Sequence, residues 1–238
     1  MKNITLILLI CLCVSCRMFR DTEGYDIKSK HNYDNTVYTT NSKFIYSIER
    51  FKGENKLNSY IINHLDDTLL IDKVVLTVLP GGFLGQTKMK WEYLNPADSV
   101  VLKAVTGLIE DSTEVSLHPP RSGFPMIYTE SAPFPEVKFP LEKHTSWIGG
   151  IQNIKGFTQI GLEGRVDFEY NNLGKSSIKT INRLYSDCWE FKSIGKSIIG
   201  SSLHTFYFDE DDGFVFSNYE FPNGEKVIMQ LQKRIDSM

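Results

Sequence analysis

From residue 43 onward, apolar and polar side chains alternate with a period of two in many short segments. Met89, Trp91 and Tyr93 alternate with charged residues, and the segment 165–170 repeats the pattern. Because successive side chains of a strand point to opposite faces, this pattern predicts strands with one buried face and one hydrated face. Such strands are typical of antiparallel sheets. The chain is therefore expected to be mostly β.

Runs of β-branched and aromatic residues predict the remaining strands, and Gly, Asn and Pro mark the turns between them. Asn223-Gly224 is the strongest turn signal, since both residues accept the positive φ of a type I′ hairpin. Segment 57–69 also fits a helical spacing of four, but Ile61 and Ile62 favour a strand. The predicted strands are 44–51, 60–64, 69–79, 88–93, 99–106, 114–118, 165–170, 178–184, 188–194, 203–208, 213–220 and 227–233, with turns at 52–55, 95–98, 171–174, 209–213 and 222–224.

Strand signals lapse in residues 119–150. Six of the nine prolines lie there, and proline cannot donate to a sheet ladder. The same segment is rich in large apolar side chains, so it must pack onto another part of the protein. We expect one large curved antiparallel sheet or half-open barrel of about 10–12 strands, partly covered by this long Pro-rich loop.

His118 and Arg121 are the candidate site residues, because the two prolines between them hold them at a strand end. A histidine and an arginine so placed can bind an anion or act in acid–base chemistry. The simpler alternative is that both side chains hydrogen-bond the backbone of the Pro-rich turn. Phe124, Tyr128 and Trp147 of the covering loop complete the predicted ligand-binding set. No catalytic residue is assigned.

Familiar metal and cofactor motifs are missing from the sequence. No two histidines have zincin spacing, and Asp209–Gly213 departs from a calcium loop at its centre. Gly81–Gly85 lacks the spacing and the following helix of a dinucleotide site. We therefore expect neither a metal nor a cofactor.

Charge and cysteine content restrict the function classes further. Without residues 1–15 the chain carries 25 basic and 29 acidic residues, a net charge of −4, which argues against nucleic acid as a partner. Cys188 would then be the one cysteine beyond Cys16, so no internal disulfide is expected. Cys188 is expected to pack as a small residue in or near the core rather than to act as a nucleophile.

The first sixteen residues combine Lys2, an apolar run over residues 4–14 and Val14-Ser15-Cys16. The apolar run is too short to span a bilayer as a helix. This segment resembles the signal peptide and lipobox of bacterial, Bacteroidota-type lipoproteins, although Cys13 stands where leucine is usual. The resemblance implies cleavage after Ser15, acylation such as palmitate at Cys16 and export, with an outer-membrane anchor. It divides the chain into a signal peptide (1–15), a polar tether (16–42) and a single β domain (43–238).

The last third of the chain carries a second resemblance. Residues 201–208, Gly213-Phe214-Val215, the Asn223-Gly224 hairpin and residues 227–231 resemble the final strands of lipoprotein-carrier-like half-barrels. That family implies a curved sheet that holds an acyl chain or another apolar ligand and is closed by helices or a plug. No helices of this kind are evident, so the Pro-rich segment is expected to act as the plug.

Three functional hypotheses follow from these observations. The first is a non-catalytic envelope lipoprotein that is held at the membrane by its lipid and binds an apolar or lipid-like ligand. The second is an envelope hydrolase centred on His118 and Arg121, which requires a carboxylate near His118. The third is a structural subunit that binds an envelope protein through an exposed apolar patch.

Overall fold

A computed structural model describes residues 36–57, 60–61, 68–83, 85–123 and 126–236. Thirteen strands in these residues form one antiparallel sheet, and two short strands form a separate hairpin. The large sheet curls into a half-barrel, which confirms the predicted all-β fold, with slightly more strands than expected. The described residues contain just two helical segments, the 3-10 turns Met126–Ser131 and Thr158–Ile160. Neither has the length or apolar character needed to cross a membrane.

The strands are β1 (Lys43–Lys52), β2 (Asn55–Leu57), β3 (Tyr60–Ile61), β4 (Thr68–Leu69), β5 (Lys73–Phe83), β6 (Gln86–Leu94), β7 (Val100–Glu110), β8 (Glu114–Leu117), β9 (Glu136–Lys138), β10 (Ser146–Phe157), β11 (Leu162–Lys179), β12 (Leu184–Ser197), β13 (Gly200–Asp209), β14 (Gly213–Glu220) and β15 (Glu225–Ile235). Their order across the sheet is β10-β11-β12-β13-β14-β15-β1-β5-β6-β7-β8-β9, and β2 pairs with β1 beside this path. The two edge strands, β9 and β10, are thus neighbours in sequence.

Alternation of side chains determines the inner face, as the sequence predicts. In β6, Thr87, Met89, Trp91 and Tyr93 are all buried and the residues between them are partly exposed. Burial of each large side chain contributes about 1.5–3 kcal/mol to folding. The inner faces of β1, β5 and β11–β15 follow the same rule and form one continuous core.

The predicted turn at 171–174 and the predicted strand at 178–184 are wrong. Residues 171–174 lie inside the long strand β11, where they form a bulge in its pairing with β12. Asn172 Oδ1 accepts a hydrogen bond from the Gly174 backbone N–H at 2.9 Å, and Gly174 has φ +95°. The local signal for a turn is thus realised as a bulge. The reversal occurs at residues 180–183, where the Thr180 N–H donates to the Arg183 carbonyl.

The Pro-rich segment closes the inner face of the sheet, and we call residues 118–135 the plug. Residues 124–125 within this range lie outside the described residues. The Ser202 hydroxyl donates to the Ser131 carbonyl at 2.6 Å, and His204 Nδ1 bonds the Pro133 carbonyl at 2.9 Å. Ser202 and His204 lie on β13 and are fully buried. The expected covering loop therefore exists, and its carbonyl groups are held by side chains of the sheet. It ends before residue 150, because β10 already begins at Ser146.

The plug approaches the sheet so closely that Gly195 of β12 has no room for a side chain. A Cβ atom there would lie 2.5 Å from the Ser131 carbonyl oxygen and 2.5 Å from Ser202 Oγ. It would also lie 3.1 Å from Cδ of Pro133. Because two of these atoms belong to the plug backbone or its proline ring, the space cannot be recovered by rotating one flexible side chain.

Residues 36–42 pack into the domain, although the sequence places them in the tether. Val37, Tyr38 and Ser42 are buried. The Glu110 carboxylate at the end of β7 accepts hydrogen bonds from the backbone N–H groups of residues 36, 37 and 38 at 2.8–3.0 Å. The packed body thus begins earlier than the predicted boundary at residue 43. The signal peptide, Cys16 and most of the tether lie outside the described residues.

We expect Gly195→Ala to destabilise the domain by about 2 kcal/mol, because the added methyl group must displace the plug. Gly149→Ala on β10 is the matched control, since its Cβ would make ordinary contacts of 3.5 Å or more with Tyr170 and Phe168. Denaturant unfolding of both variants measures the difference. Equal stability of the two variants would contradict the close packing of the plug.

Candidate functional site

The candidate site begins where β8 passes into the plug. The backbone N–H of His118 donates to the Gly107 carbonyl of β7 at 3.0 Å. The His118 carbonyl accepts from Thr106 Oγ1 at 2.9 Å, and Trp91 Nε1 donates to the same hydroxyl at 2.7 Å. Pro119 and Pro120 follow and are buried. Strand β7 and the two rigid prolines thus fix the position of His118.

Both nitrogens of the His118 ring face an oxygen atom of the protein. Nδ1 lies 2.9 Å from the Pro119 carbonyl, which can act as an acceptor alone, so Nδ1 is the donor. Nε2 lies 3.3 Å from Oε1 of Glu130. The ring also packs against Phe134, with a centroid distance of 4.3 Å.

Glu130 connects the two predicted site residues. Arg121 Nη1 donates to the same Oε1 atom at 3.2 Å. The Glu130 side chain is 5% exposed, whereas His118 and Arg121 are 22% and 32% exposed. Burial alone would raise the pKa of Glu130, but the hydrogen bonds and positive charges of His118 and Arg121 outweigh it and lower this pKa. We call these three residues the clasp.

The clasp meets one requirement of the hydrolase hypothesis, a carboxylate within reach of His118, but it is closed on itself. A general base needs a ring nitrogen that can accept a proton from a substrate. Here Nδ1 is occupied by Pro119 and Nε2 faces Glu130, whose Oε1 is shared with Arg121. This geometry suits a structural link between the beginning of the plug and its 3-10 turn.

Two of the other predicted ligand-binding residues, Tyr128 and Trp147, do not join the clasp. The ring centroid of Tyr128 lies 5.8 Å from that of Phe221, near the β14–β15 hairpin. Trp147 stacks on Tyr170 with 5.0 Å between the ring centroids, and Trp147 Nε1 donates to Oε1 of Glu136 at 2.7 Å. Phe124 lies outside the described residues. The structure thus brings together His118 and Arg121 and separates Tyr128 and Trp147 from them.

The Trp147–Glu136 bond connects the two edges of the half-barrel. Trp147 is on β10 and Glu136 is on β9, and these strands stand at opposite ends of the sheet order. Burial raises the pKa of Glu136, and this effect outweighs the opposing influence of nearby Lys138 and the Trp147 hydrogen bond. A side-chain bond therefore joins the seam that a backbone ladder would close in a complete barrel.

One cavity lies between the described part of the plug and the sheet, and it is small. A cavity of about 20 Å³ is lined by apolar residues that include Trp91, Leu117, Pro120 and Tyr219. This volume accommodates about one water molecule, whereas pockets for small molecules usually measure ~300 Å³ or more. A wider, open groove of about 510 Å³ lies on the outer side, between Ser47, Leu57, Leu70 and Pro96.

His204 is a buried histidine of the sheet that contacts the plug. It is fully buried, stacks on Tyr219 at 3.9 Å and donates from Nδ1 to the Pro133 carbonyl. Burial lowers the pKa of His204 to about 3, against the opposing effect of the Pro133 carbonyl. The ring is therefore neutral at ordinary pH and serves as a fixed donor.

Cys188 is completely buried, as expected from the sequence. Burial, followed by the neighbouring Asp209 carboxylate, raises the pKa of the Cys188 thiol to about 12. A thiol in this setting is a poor nucleophile. Within the part of the chain that the structure describes, no group of three or more His, Cys, Asp or Glu side chains could hold a metal ion.

Sequence reasoning missed Glu130, Gly195 and His204. Glu130 had a usable signal, since it is the one acidic residue in the segment 119–135, nine residues after Arg121. Gly195 and His204 had none, because each owes its role to the path of the plug over β12 and β13. That path is a long-range property.

Comparison with known proteins found no matching family model and no matching curated protein. Two solved structures are similar in fold. One is a predicted exported protein with a YmcC-like fold from Bacteroides fragilis NCTC 9343, with 8% identity and a TM-score of 0.44 over 84% of this chain and 98% of that chain. The other is a predicted lipoprotein from Parabacteroides distasonis ATCC 8503, with 12% identity and a TM-score of 0.46 over 84% and 97%.

We expect Glu130→Gln to destabilise the protein by about 2–3 kcal/mol at neutral pH, because it leaves His118 and Arg121 beside a neutral amide. The Glu130 pKa is lowered on folding, so its stabilising effect is present above the pKa of an unfolded Glu. It disappears as the pH falls through the folded value. Urea unfolding at several pH values measures this loss. Glu136→Gln is the control and should cost less, because the amide oxygen of Gln can still accept the hydrogen bond from Trp147 Nε1.

His204 predicts a second pH effect. Its pKa is lowered on folding to about 3, so the unfolded state binds the extra proton first as the pH drops below about 6.5. Stability should fall on this account by up to ~1.4 kcal/mol per pH unit between those values. In His204→Gln this contribution is absent, and the stability gap to wild type should narrow on acidification. A constant gap in urea unfolding between pH 6.5 and 4 would contradict the assignment.

Proposed function

We propose that this protein is a non-catalytic lipoprotein of the cell envelope, anchored through acylated Cys16, whose half-barrel is an interaction module. The function is exerted through its outer surface rather than through a ligand held inside the sheet. Its partner is an envelope protein or the surface of the envelope. This combines the first and third hypotheses raised by the sequence and sets aside an interior lipid site.

The anchor is supported by the sequence. Lys2, the short apolar run and Val14-Ser15-Cys16 resemble a signal for export and acylation, with Cys13 as a departure from the usual leucine. Nineteen residues lie between Cys16 and Thr36, where the packed body begins. Fully extended, they reach at most ~70 Å. Acyl chains on Cys16 would therefore keep the domain close to the bilayer.

The filled inner face is the observation that carries the non-catalytic, ligand-free part of the proposal. Ser131 and Pro133 of the plug are bonded directly to β13, and the cavity that Pro119, Pro120 and Pro135 line beside the described part of the sheet is water-sized. To bind inside the sheet, an acyl chain would have to break these hydrogen bonds and displace the plug. The clasp supports the same conclusion, because both nitrogens of His118 are directed at protein oxygens.

The anchor is tested by expressing the full chain in a bacterial host and measuring its intact mass and palmitate incorporation. The wild type should lose residues 1–15 and gain fatty acid, and Cys16→Ala should gain none. Cys13→Ala is the matched control and should be acylated normally. An uncut leader without fatty acid on the wild type would overturn the anchor.

The filled interior is tested on the same Cys16→Ala protein. Mass spectrometry of the purified protein should detect no lipid at a stoichiometric level, because the plug occupies the inner face. Stoichiometric lipid that is lost on mutation of plug residues would restore the apolar-ligand hypothesis. This outcome is independent of the acylation result.

A further inference from the structure

The end of the barrel at which the chain enters carries an exposed apolar surface. Strand β12 extends past the end of β13, since its pairing with β13 begins at Trp189. The β11–β12 hairpin therefore projects beyond the sheet, and we call residues 178–188 the flap. The Asn182 side chain donates to the Gln232 carbonyl of β15 at 3.1 Å, so the flap reaches across the β13–β14 turn.

Large apolar side chains point outward from this end. Ile181 at the tip of the flap is 54% exposed, and Leu184 is 63% exposed. Ile235 at the end of β15 is 39% exposed. A turn tip normally carries Gly, Asn or Asp, so an exposed isoleucine there is not explained by the needs of the hairpin.

Lysines surround these apolar residues. Lys179 is paired with Leu184, and Lys43 is paired with Ile235 across the strands, while Lys233 is close by on β15. All three are exposed and have no ion-pair partner within the described ranges. Among the nearby acidic side chains, Asp212 pairs with Arg183, Asp236 with Arg234, and Asp187 and Glu210 with Lys175, which leaves Asp209 and Asp211 without an ion pair in the described residues.

The chain enters the packed body at the same end. Glu110, which holds the backbone of residues 36–38, is the last residue of β7. The Tyr38 side chain reaches the β13–β14 turn, where its hydroxyl accepts a hydrogen bond from the Phe214 N–H at 3.0 Å. The segment that leads back to Cys16 therefore leaves the domain beside the flap.

We propose that the flap end, formed by Ile181, Leu184 and Ile235 with Lys43, Lys179 and Lys233, docks on an anionic lipid bilayer. Exposed apolar side chains enter the interface between headgroups and acyl chains, and lysines contact anionic headgroups. The position of the chain's exit favours a bilayer over a protein partner, because an anchor at Cys16 would keep this end within ~70 Å of lipid. The choice of a bilayer as the partner therefore rests on the proposed anchor, whereas the vesicle experiment below does not depend on it.

The test uses the chain from residue 16 with Cys16→Ala, so that no acyl chain contributes. Leu184→Cys is labelled with an environment-sensitive fluorophore and mixed with vesicles of phosphatidylethanolamine and phosphatidylglycerol. Cys188 does not compete for the label because it is buried. Ile198→Cys is the matched control, since Ile198 is 77% exposed at a hairpin tip at the opposite end of β12. A blue shift at position 184 and none at position 198 is expected.

Charge variants add a second readout. Lys179→Gln and Lys233→Gln should each lower vesicle partitioning about five-fold, the ratio that corresponds to about 1 kcal/mol per basic residue near an anionic surface. Lys155→Gln on β10 is the control and should have no effect. A shift at position 198 instead of 184, or no shift at either position, would overturn the docking proposal. Neither result depends on whether Cys16 is acylated in cells.

Discussion

The closed inner face of the half-barrel depends on the buried hydrogen bonds between β13 and the plug. A segment rich in proline lacks many N–H groups, yet its carbonyl groups still need donors when they are buried. The Ser202 hydroxyl and His204 Nδ1 supply two of these donors from the inner face of the sheet. Because the plug is held so close, Gly195 cannot carry a side chain, and the inner face is filled. The clasp then fixes the beginning of the plug to its own helical turn through Glu130.

Much of the fold could be predicted from the sequence, because its signal is local. Alternation in the segment 88–93 corresponds to β6, and Asn223-Gly224 forms the hairpin between β14 and β15. Of these two residues only Gly224 has a positive φ, so the turn is not of the predicted type I′. The failure at 171–184 is instructive. Asn172 and Gly174 are residues that favour turns. In this protein, however, β11 pairs with β12 both before and after them, so they form a bulge instead of a turn. The chain reverses instead at residues 180–183. This turn contains Ile181, an apolar residue that gives no turn signal in the sequence.

The site was predictable in part. His118 and Arg121 could be identified from the rigid prolines between them, and a search for a lone acidic residue nearby would have found Glu130. Tyr128 and Trp147 belong to the same segment of sequence, but the structure places them beside Phe221 and Glu136. Their separation follows from the route of the plug across the sheet. Local sequence carries no information on that route.

The place of β1 between β15 and β5 has a consequence for the order of folding. Ten residue pairs join β1 to β15, so the first long strand has no neighbour on that side until the last strand has been synthesised. Pairing of such distant segments is slow, because a long chain must be closed before the contact forms. The sheet can therefore be completed only after β15 has been synthesised. For the export proposed above, such a late closing step would leave the chain open while it is threaded through a translocation channel.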